Sequence, residues 1–567
     1  MNRTGVLKRL SGLVLRGAAV AVLPVTLLSS VGNADTPTYT PITLVAPNVP
    51  GVPALPGTGV IAPTYTAAAN MGSLTINPVQ GIQGTPITIS GVGVAPNVPV
   101  VLTWSTAQLS WQVSVDPQTV NYMGRSATNF NVILTTVTSD ASGNFSFKMN
   151  APVDFGGQHD IYAVVGGVEQ AHGAFYTVRT VTVTPKRGPV GTPITVTYTG
   201  MGSSLYTAGA ALLWDNHYTG EMMANWTRGT ASVTIRAAGP VGTHYIQVGD
   251  AITDLYMNIL QSPVPYANGD TVPFVVTKGI GPIAARLDWP SSVTPTISQK
   301  TTLSNAGLDP KSTAVASVSP TSGPVNSKAR LSVSGLTATG PLQIVWSSVV
   351  GSRVNCSGVC WNFTSTPLAT ATPVNGAINA DVTIPDGLGG WHVIQVLNGT
   401  SVEAQVPFYV KVSLVPFKNK AGKVISLGTA TANNCAKCTS DQKLAAIAAG
   451  NSGTGATSFK QGQEFTISVK GVGWTQMDNT MAVDYDNGYV GYGCGFNSNG
   501  YMVIHMFATG APGIHLIDLY PQMYSWQPSF ANAPYGMSPM LSYQRDDPGL
   551  ALGYQMPAIR LAITVTK

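Results

Sequence analysis

Histidine titrates nearest to neutral pH, and four of the chain's seven histidines recur in one setting. His159, His244, His392 and His515 each sit in Gly-x-His-x-Ile: Gly157-Gln-His159-Asp-Ile161, Gly242-Thr-His244-Tyr-Ile246, Gly390-Trp-His392-Val-Ile394 and Gly513-Ile-His515-Leu-Ile517. Such residues can bind metal, but one histidine per repeat at an equivalent strand position does not converge on an ion. The pattern instead predicts a structural ring that packs and hydrogen-bonds at a sandwich edge. His172, His217 and His505 lack the HxH or HExxH spacing of zinc ligands. No metal site is predicted from histidine.

Two segments share aromatic-Asp-Asn-x-Tyr-x-Gly: Trp214-Asp215-Asn216-His217-Tyr218-Thr-Gly220 and Tyr485-Asp486-Asn487-Gly488-Tyr489-Val-Gly491. Asp-Asn after a strand is turn chemistry, because both side chains hydrogen-bond their own backbone. A functional reading stands beside it. The turns would present Trp214, Tyr218, Tyr485 and Tyr489 for stacking on sugar rings, or for packing against another copy of the chain. Calcium at Asp484, Asp486 and Asn487 is a further reading, although the run lacks the Asp-x-Asp-x-Asp-Gly spacing. No cofactor is expected beyond this calcium reading.

All five cysteines lie in the second half, and exported chains tend to oxidise theirs. Cys356 and Cys360 suggest a local clip. Cys435-Ala-Lys-Cys438 precedes a helix expected from Gln442 to Ala449, where thiol pKa values fall. No thioredoxin-like βαβ pattern surrounds it, so a structural disulfide is favoured over a redox pair. Cys494 is left free or paired with Cys435 or Cys438. Catalysis finds no support: there is no Gly-x-Ser-x-Gly elbow, P-loop or dinucleotide fingerprint. Asp546-Asp547 are adjacent and do not show the separation a glycosidase needs. The chain is expected not to be an enzyme.

These residues sit in a repeating frame. Leu74-Thr-Ile-Asn-Pro78, Val181-Thr-Val-Thr-Pro185, Ala316-Ser-Val-Ser-Pro320 and Val412-Ser-Leu-Val-Pro416 each open a segment of strands and Pro/Gly turns. A strand ending in Trp104, Trp214, Trp346 or Tyr485 follows. Units of roughly 100 residues made of short strands are the size of an immunoglobulin-like sandwich. Units one and three share Gly-Gly-x-His, and units two and four share the Asp-Asn turn. The expectation is therefore all-β: four tandem immunoglobulin-like β-sandwich domains arranged as a duplicated two-domain module. The expected boundaries are 73–180, 181–278, 315–411 and 412–567. Residues 35–72 read as a Pro/Thr-rich, polyproline-like leader, and 279–314 as a linker without strand periodicity. The fourth unit carries insertions at about 417–459 and 521–556, loops long enough to be functional.

The openings resemble the IPT/TIG family of immunoglobulin-like domains, best in Val318-Ser-Pro320-Thr-Ser-Gly323-Pro324. The resemblance covers the first strands of each unit. It implies the sandwich fold and is nearly silent on function, since that family occurs in surface receptors, adhesins, enzyme accessories and transcription factors.

The N-terminus reads as an export signal over 1–34: basic Arg3, Lys8, Arg9 and Arg16, apolar Gly17 to Leu28, then Gly32 and Ala34 at a small-x-small site. No later apolar run reaches the ~18 residues of a membrane-spanning helix. Leu55-Pro56-Gly57-Thr58-Gly59 matches a wall-sorting pentapeptide, but it stands at the wrong end of the chain. Charged residues make up only 9% of the chain, and the net charge is +5, too dilute for a nucleic-acid-binding stripe. Ser, Thr, Asn and Gly replace charges on the surface, and such surfaces pack against neighbours with little desolvation cost. The expected role is an exported cell-surface structural protein: a surface-layer or appendage subunit, or an adhesin-like rod. Its partners would be copies of itself or other envelope components. The alternatives are a glycan-binding protein using the aromatic turns, and an enzyme built on the fourth unit's insertions.

Overall fold

A computed structural model gives the architecture. It describes residues 41–567 except 117–118, 205–206, 252–254, 256, 259, 262–269, 292–296, 302, 352–360, 415–416, 419–423, 426, 430–455 and 527–533. The export segment, Cys356, Cys360, Cys435, Cys438 and the helix expected over 442–449 lie outside the described residues.

The first unit shows how the sandwich forms. Thr75–Asn77, Pro86–Gly91 and Phe145–Asn150 make a three-stranded sheet. Along Pro86–Gly91 side chains alternate, so Ile87 and Ile89 point inward and are buried while Pro86 is exposed. They meet Leu102, Trp104, Ile161 and Phe175 from a seven-stranded sheet built on Pro99–Asp116, Gly157–Val165 and Val168–Thr177. Each such side chain taken fully out of water contributes about 1.5–3 kcal/mol.

The same pairing of sheets recurs three times. Thr180–Thr184, Pro193–Thr199 and Thr230–Arg236 face a five-stranded sheet containing Gly209–Trp214, His217–Met223, Gly242–Asp250 and Asp270–Ile280. Val315–Ser319, Lys328–Ser334 and Ile378–Thr383 face one containing Leu342–Gly351, Trp361–Ala371, Gly390–Asn398 and Ser401–Val410. Glu464–Lys470 and Met502–Phe507 lie in a four-stranded sheet opposite one containing Thr480–Tyr485, Gly488–Cys494, Gly513–Trp526 and Ala558–Thr566. The opening prolines of the first three units follow cis peptide bonds at the same place: Asn77-Pro78, Thr184-Pro185 and Ser319-Pro320.

Glycine marks two matching joints. Gly156 N–H donates to Met201 O at 2.7 Å, joining unit one to unit two. Gly389 N–H donates to Val472 O at 2.9 Å, joining unit three to unit four. A Cβ on Gly156 would overlap the Gly200 carbonyl, and one on Gly389 would overlap that of Gly471. This close approach of two backbones explains the Gly-Gly-x-His shared by units one and three. Gly156→Ala and Gly389→Ala are each expected to lose about 1–3 kcal/mol through overpacking. Gly340→Ala, where nothing lies near the added carbon, should change little in the same denaturant titration.

Three expectations about organisation are corrected. The leader is not a free polyproline segment: Pro41–Leu44 pairs with Pro99–Asp116, and Thr66–Ser73 pairs parallel to Val168–Thr177. The 279–314 linker contributes Arg286–Asp288 as an edge strand on Ala558–Thr566. The units also do not string out as a rod. One apolar cluster joins the core of unit two (Trp214, Phe274) to Trp111 of unit one, Trp391 of unit three and Tyr520 of unit four. The second insertion takes part in this contact. Its Met540, Leu541, Tyr543, Leu550 and Tyr554 are buried in the cluster, around the single-turn helix Pro548–Ala551.

Candidate functional site

The four repeated histidines occupy equivalent positions, and each ring lies on the strand-end aromatic of its unit. Centroid separations are 4.3 Å for Trp104–His159, 5.3 Å for Trp214–His244, 4.7 Å for Trp346–His392 and 5.4 Å for Tyr485–His515, all stacked. Both ring nitrogens face acceptors within the same unit. Nε2 meets the carbonyl four residues earlier: Phe155, Pro240, Leu388 or Ala511. Nδ1 divides the units into two kinds. In units one and three it meets the carbonyls of Ser105 and Ser347. In units two and four it meets the carboxylates of Asp215 and Asp486, each at 2.5 Å. The long hairpin strands of units one and three continue past the aromatic and supply a carbonyl, whereas units two and four turn there and supply an aspartate.

The environment sets the charge of two of these rings. Burial holds His392 below the ordinary imidazole range. The hydrogen bond that the His515 ring donates to the Asp486 carboxylate raises His515 above it, against a smaller opposing effect of burial. A raised folded value stabilises the fold below the unfolded pKa near 6.5, and that contribution fades as pH rises through the folded value. Asp486→Asn is expected to return the His515 titration toward or below 6.5, read from its ring proton resonances.

The Asp-Asn turns are hairpin corners. Asp215 and Asn216 have φ of 50° and 67°, and Asp486 and Asn487 of 51° and 64°, the left-handed pair that a tight two-residue turn needs. The Asp carboxylate also accepts from the N–H of Tyr245 or Leu516, each at 2.8 Å, pinning the corner to the neighbouring strand.

The two corners meet, which corrects the sugar-platform reading of Trp214, Tyr218, Tyr485 and Tyr489. Trp214 is buried. Tyr485 is half-buried and its hydroxyl donates to Thr509 O. Tyr218 and Tyr489 touch edge to face across the seam, 6.4 Å between centroids. Thr219 Oγ1 donates to Asn487 O at 2.6 Å, and Asn487 Nδ2 donates to Arg236 O at 2.7 Å. The aromatic turns pack on a second copy of the motif, but that copy lies in the same chain.

Calcium fits no better. Both Asp486 oxygens are engaged by His515 and Leu516, and Asn487 donates to Arg236 O. Asp484 is buried, and burial with the nearby Asp518 charge raises its pKa well above the carboxylate range. Cys494 is exposed and has no disulfide partner among the described residues.

Behind the turns lies a charged network that the sequence reading missed. Arg236 of unit two is fully buried and donates to both oxygens of Asp518 in unit four, at 2.5 and 3.3 Å. Its Nη2 also reaches Leu561 O at 2.6 Å. Arg560, also buried, donates to Asp288 at 2.9 Å, Tyr520 Oη at 2.7 Å and Thr234 O at 3.1 Å. Asp546, also buried, accepts from Trp111 Nε1 at 2.8 Å and Trp226 N at 3.0 Å, tying unit four to units one and two. A signal existed: in so lightly charged a chain, Ile517-Asp518-Leu519 and Ile559-Arg560-Leu561 each place a charge inside an apolar strand.

No family model matches the chain, and no curated protein does. Among solved structures it is similar to invasin, a bacterial integrin-binding protein, at 11% identity over 79% of this chain and 76% of that one, TM-score 0.18. The Yersinia pseudotuberculosis adhesin InvE matches at 14% identity over 45% of this chain and 65% of its own, TM-score 0.13. Salmonella alpha-2-macroglobulin matches at 9% identity over 93% of this chain, which spans 31% of that one, TM-score 0.15. The architecture is that of immunoglobulin-like β-sandwiches, as its own sheets define.

Proposed function

We propose that this chain is an exported, non-catalytic structural protein of a cell surface. It acts as a compact subunit that packs against copies of itself or other envelope components. The observation that carries the reading is the outer sheet face of unit two. Thr243, Tyr245, Thr271, Pro273 and Val275 lie on it side by side, exposed and uncharged, with Arg187 of the next strand, paired with Val275, as the charge at its edge. Val241 and Ile280 beside it are also exposed, at 61% and 65%. Like charges that keep soluble proteins apart are scarce here, and burying Thr, Tyr and Val against a neighbour removes apolar surface at small polar cost. The basic-apolar-small pattern of residues 1–34 supports export.

Electron microscopy of purified residues 35–567, beside micrographs of the native envelope, tests this reading. Ordered sheets or filaments in both are expected, and Tyr245→Glu with Val275→Lys should disperse them. Particles that stay single at high concentration, beside an envelope without an array, would contradict it.

A further inference from the structure

The aromatic turns are occupied inside the chain, but unit one carries a cleft whose lining suits a sugar. It encloses about 550 Å³ on the outer face of the larger sheet, between leader residues 62–65 and the joint with unit two. The sheet register builds its floor. Asn131 lies opposite Ser105 and Asn129 opposite Ala107, so both asparagines share one face two residues apart. Asp160 N–H donates to Ser105 Oγ, continuing the row onto the next strand. The leader is held in place beside the floor, since Ala62 N–H donates to Asn131 O at 2.8 Å. That contact puts Tyr65 at the cleft's rim, half-buried.

The polar groups divide into spent and unspent. Asp160 is half spent, since its Oδ1 meets both His172 Nε2 at 3.0 Å and Gln158 Nε2 at 2.9 Å. The side-chain amides of Asn129 and Asn131, the Glu169 carboxylate and the Tyr65 hydroxyl make no hydrogen bond to other described residues. Among the described residues, no lysine or arginine lines the cleft.

We infer that this cleft binds a neutral oligosaccharide. Two amides in line offer paired donors and acceptors to vicinal hydroxyls, a carboxylate accepts from a third hydroxyl, and a tyrosine ring gives an apolar sugar face a surface to lie on. The absence of a lining cation, with Asp160 and Glu169 present, disfavours acidic sugars. The inference stands apart from the envelope role: a lattice without sugar binding, or sugar binding without a lattice, is a distinct result.

Calorimetric titration of residues 35–567 with maltohexaose, cellohexaose and chitohexaose, and with trigalacturonate as the acidic comparison, tests it. At least one neutral hexasaccharide should bind, and more tightly than trigalacturonate. Asn129→Ala with Asn131→Ala should weaken that binding at least tenfold. Asn129→Asp with Asn131→Asp, which keeps side-chain shape, should weaken it as much with the thermal transition unmoved. Failure of all three neutral sugars to bind, or binding of equal strength in both double variants, would overturn it.

Discussion

Replacing Arg236 by alanine is expected to destabilise the fold by about 3 kcal/mol, near the lower end of what breaking a buried ion pair costs. The lower end applies because Arg560 remains 3.5 Å from Asp518 and still shares its charge. The loss arises from what remains: Asp518 keeps a buried carboxylate, and the Leu561 carbonyl loses its donor. Urea titration should also show weaker coupling between units two and four, because the variant removes the strongest of their polar ties, with Thr219–Asn487, Arg560–Thr234 and Trp226–Asp546 among those that remain. Arg236→Met with Asp518→Leu removes both charges and should recover much of the loss, since a packed apolar pair avoids desolvating two ions. A single variant as stable and as cooperative as the parent would show that the seam is held by the apolar cluster alone.

The second large effect is in pH. Glu221 is buried at the same seam, and burial lifts its pKa to about 8 against a weaker lowering by Arg125. Asp547 is lifted to about 7 and Asp546 to about 6, burial again the main cause. These carboxyls bind protons in the folded state that the unfolded chain has already released. Stability is therefore full below the unfolded values near 4 and falls as pH rises through about 6, 7 and 8. A tenfold difference in proton affinity between folded and unfolded chain corresponds to about 1.4 kcal/mol, so Glu221 alone makes the chain several kcal/mol less stable at pH 9 than at pH 5. Glu221→Gln, neutral at every pH, should raise Tm at pH 9 and leave it nearly unchanged at pH 5. A wild-type Tm that rises from pH 5 to pH 9 would contradict this assignment.

The strands and their grouping were legible because they are local. Alternation in Pro86-Ile-Thr-Ile-Ser90 and the recurrence of Gly-x-His-x-Ile need only a period and a repeat. The division into two kinds of unit was legible for the same reason, and the structure supplies its cause in the Nδ1 partner of each histidine. The contacts between units were not legible. Trp111 and Asp546 meet across 435 positions, and Thr219 and Asn487 across 268, with no local mark of the encounter. An aromatic turn has the same sequence whether it faces solvent or another turn, so the turn after Trp214 read as a surface device, when Trp214 is buried and Tyr218 and Thr219 pack on the second turn. The leader misled for a related reason. Proline spacing suggested polyproline, but a short edge strand such as Pro41–Leu44 borrows its order from the neighbouring Pro99–Asp116. Glu221 stands in a run of Gly, Met and Thr that gives no hint of burial, since the element covering it lies about three hundred residues away at Met540 and Leu541.

The central claim is that the four units close on one another through one apolar cluster, with units two and four locked by Arg236, Asp518 and the Asp-Asn turns. Small-angle X-ray scattering on dilute residues 35–567 tests it most directly. The account predicts a radius of gyration near the compact value for this length, about 25 Å. It also predicts an increase in the Arg236→Ala variant at mild urea concentrations that leave the parent unchanged. A radius close to double the compact value, with the elongated distance distribution of four beads in line, would contradict it and return the aromatic turns to solvent.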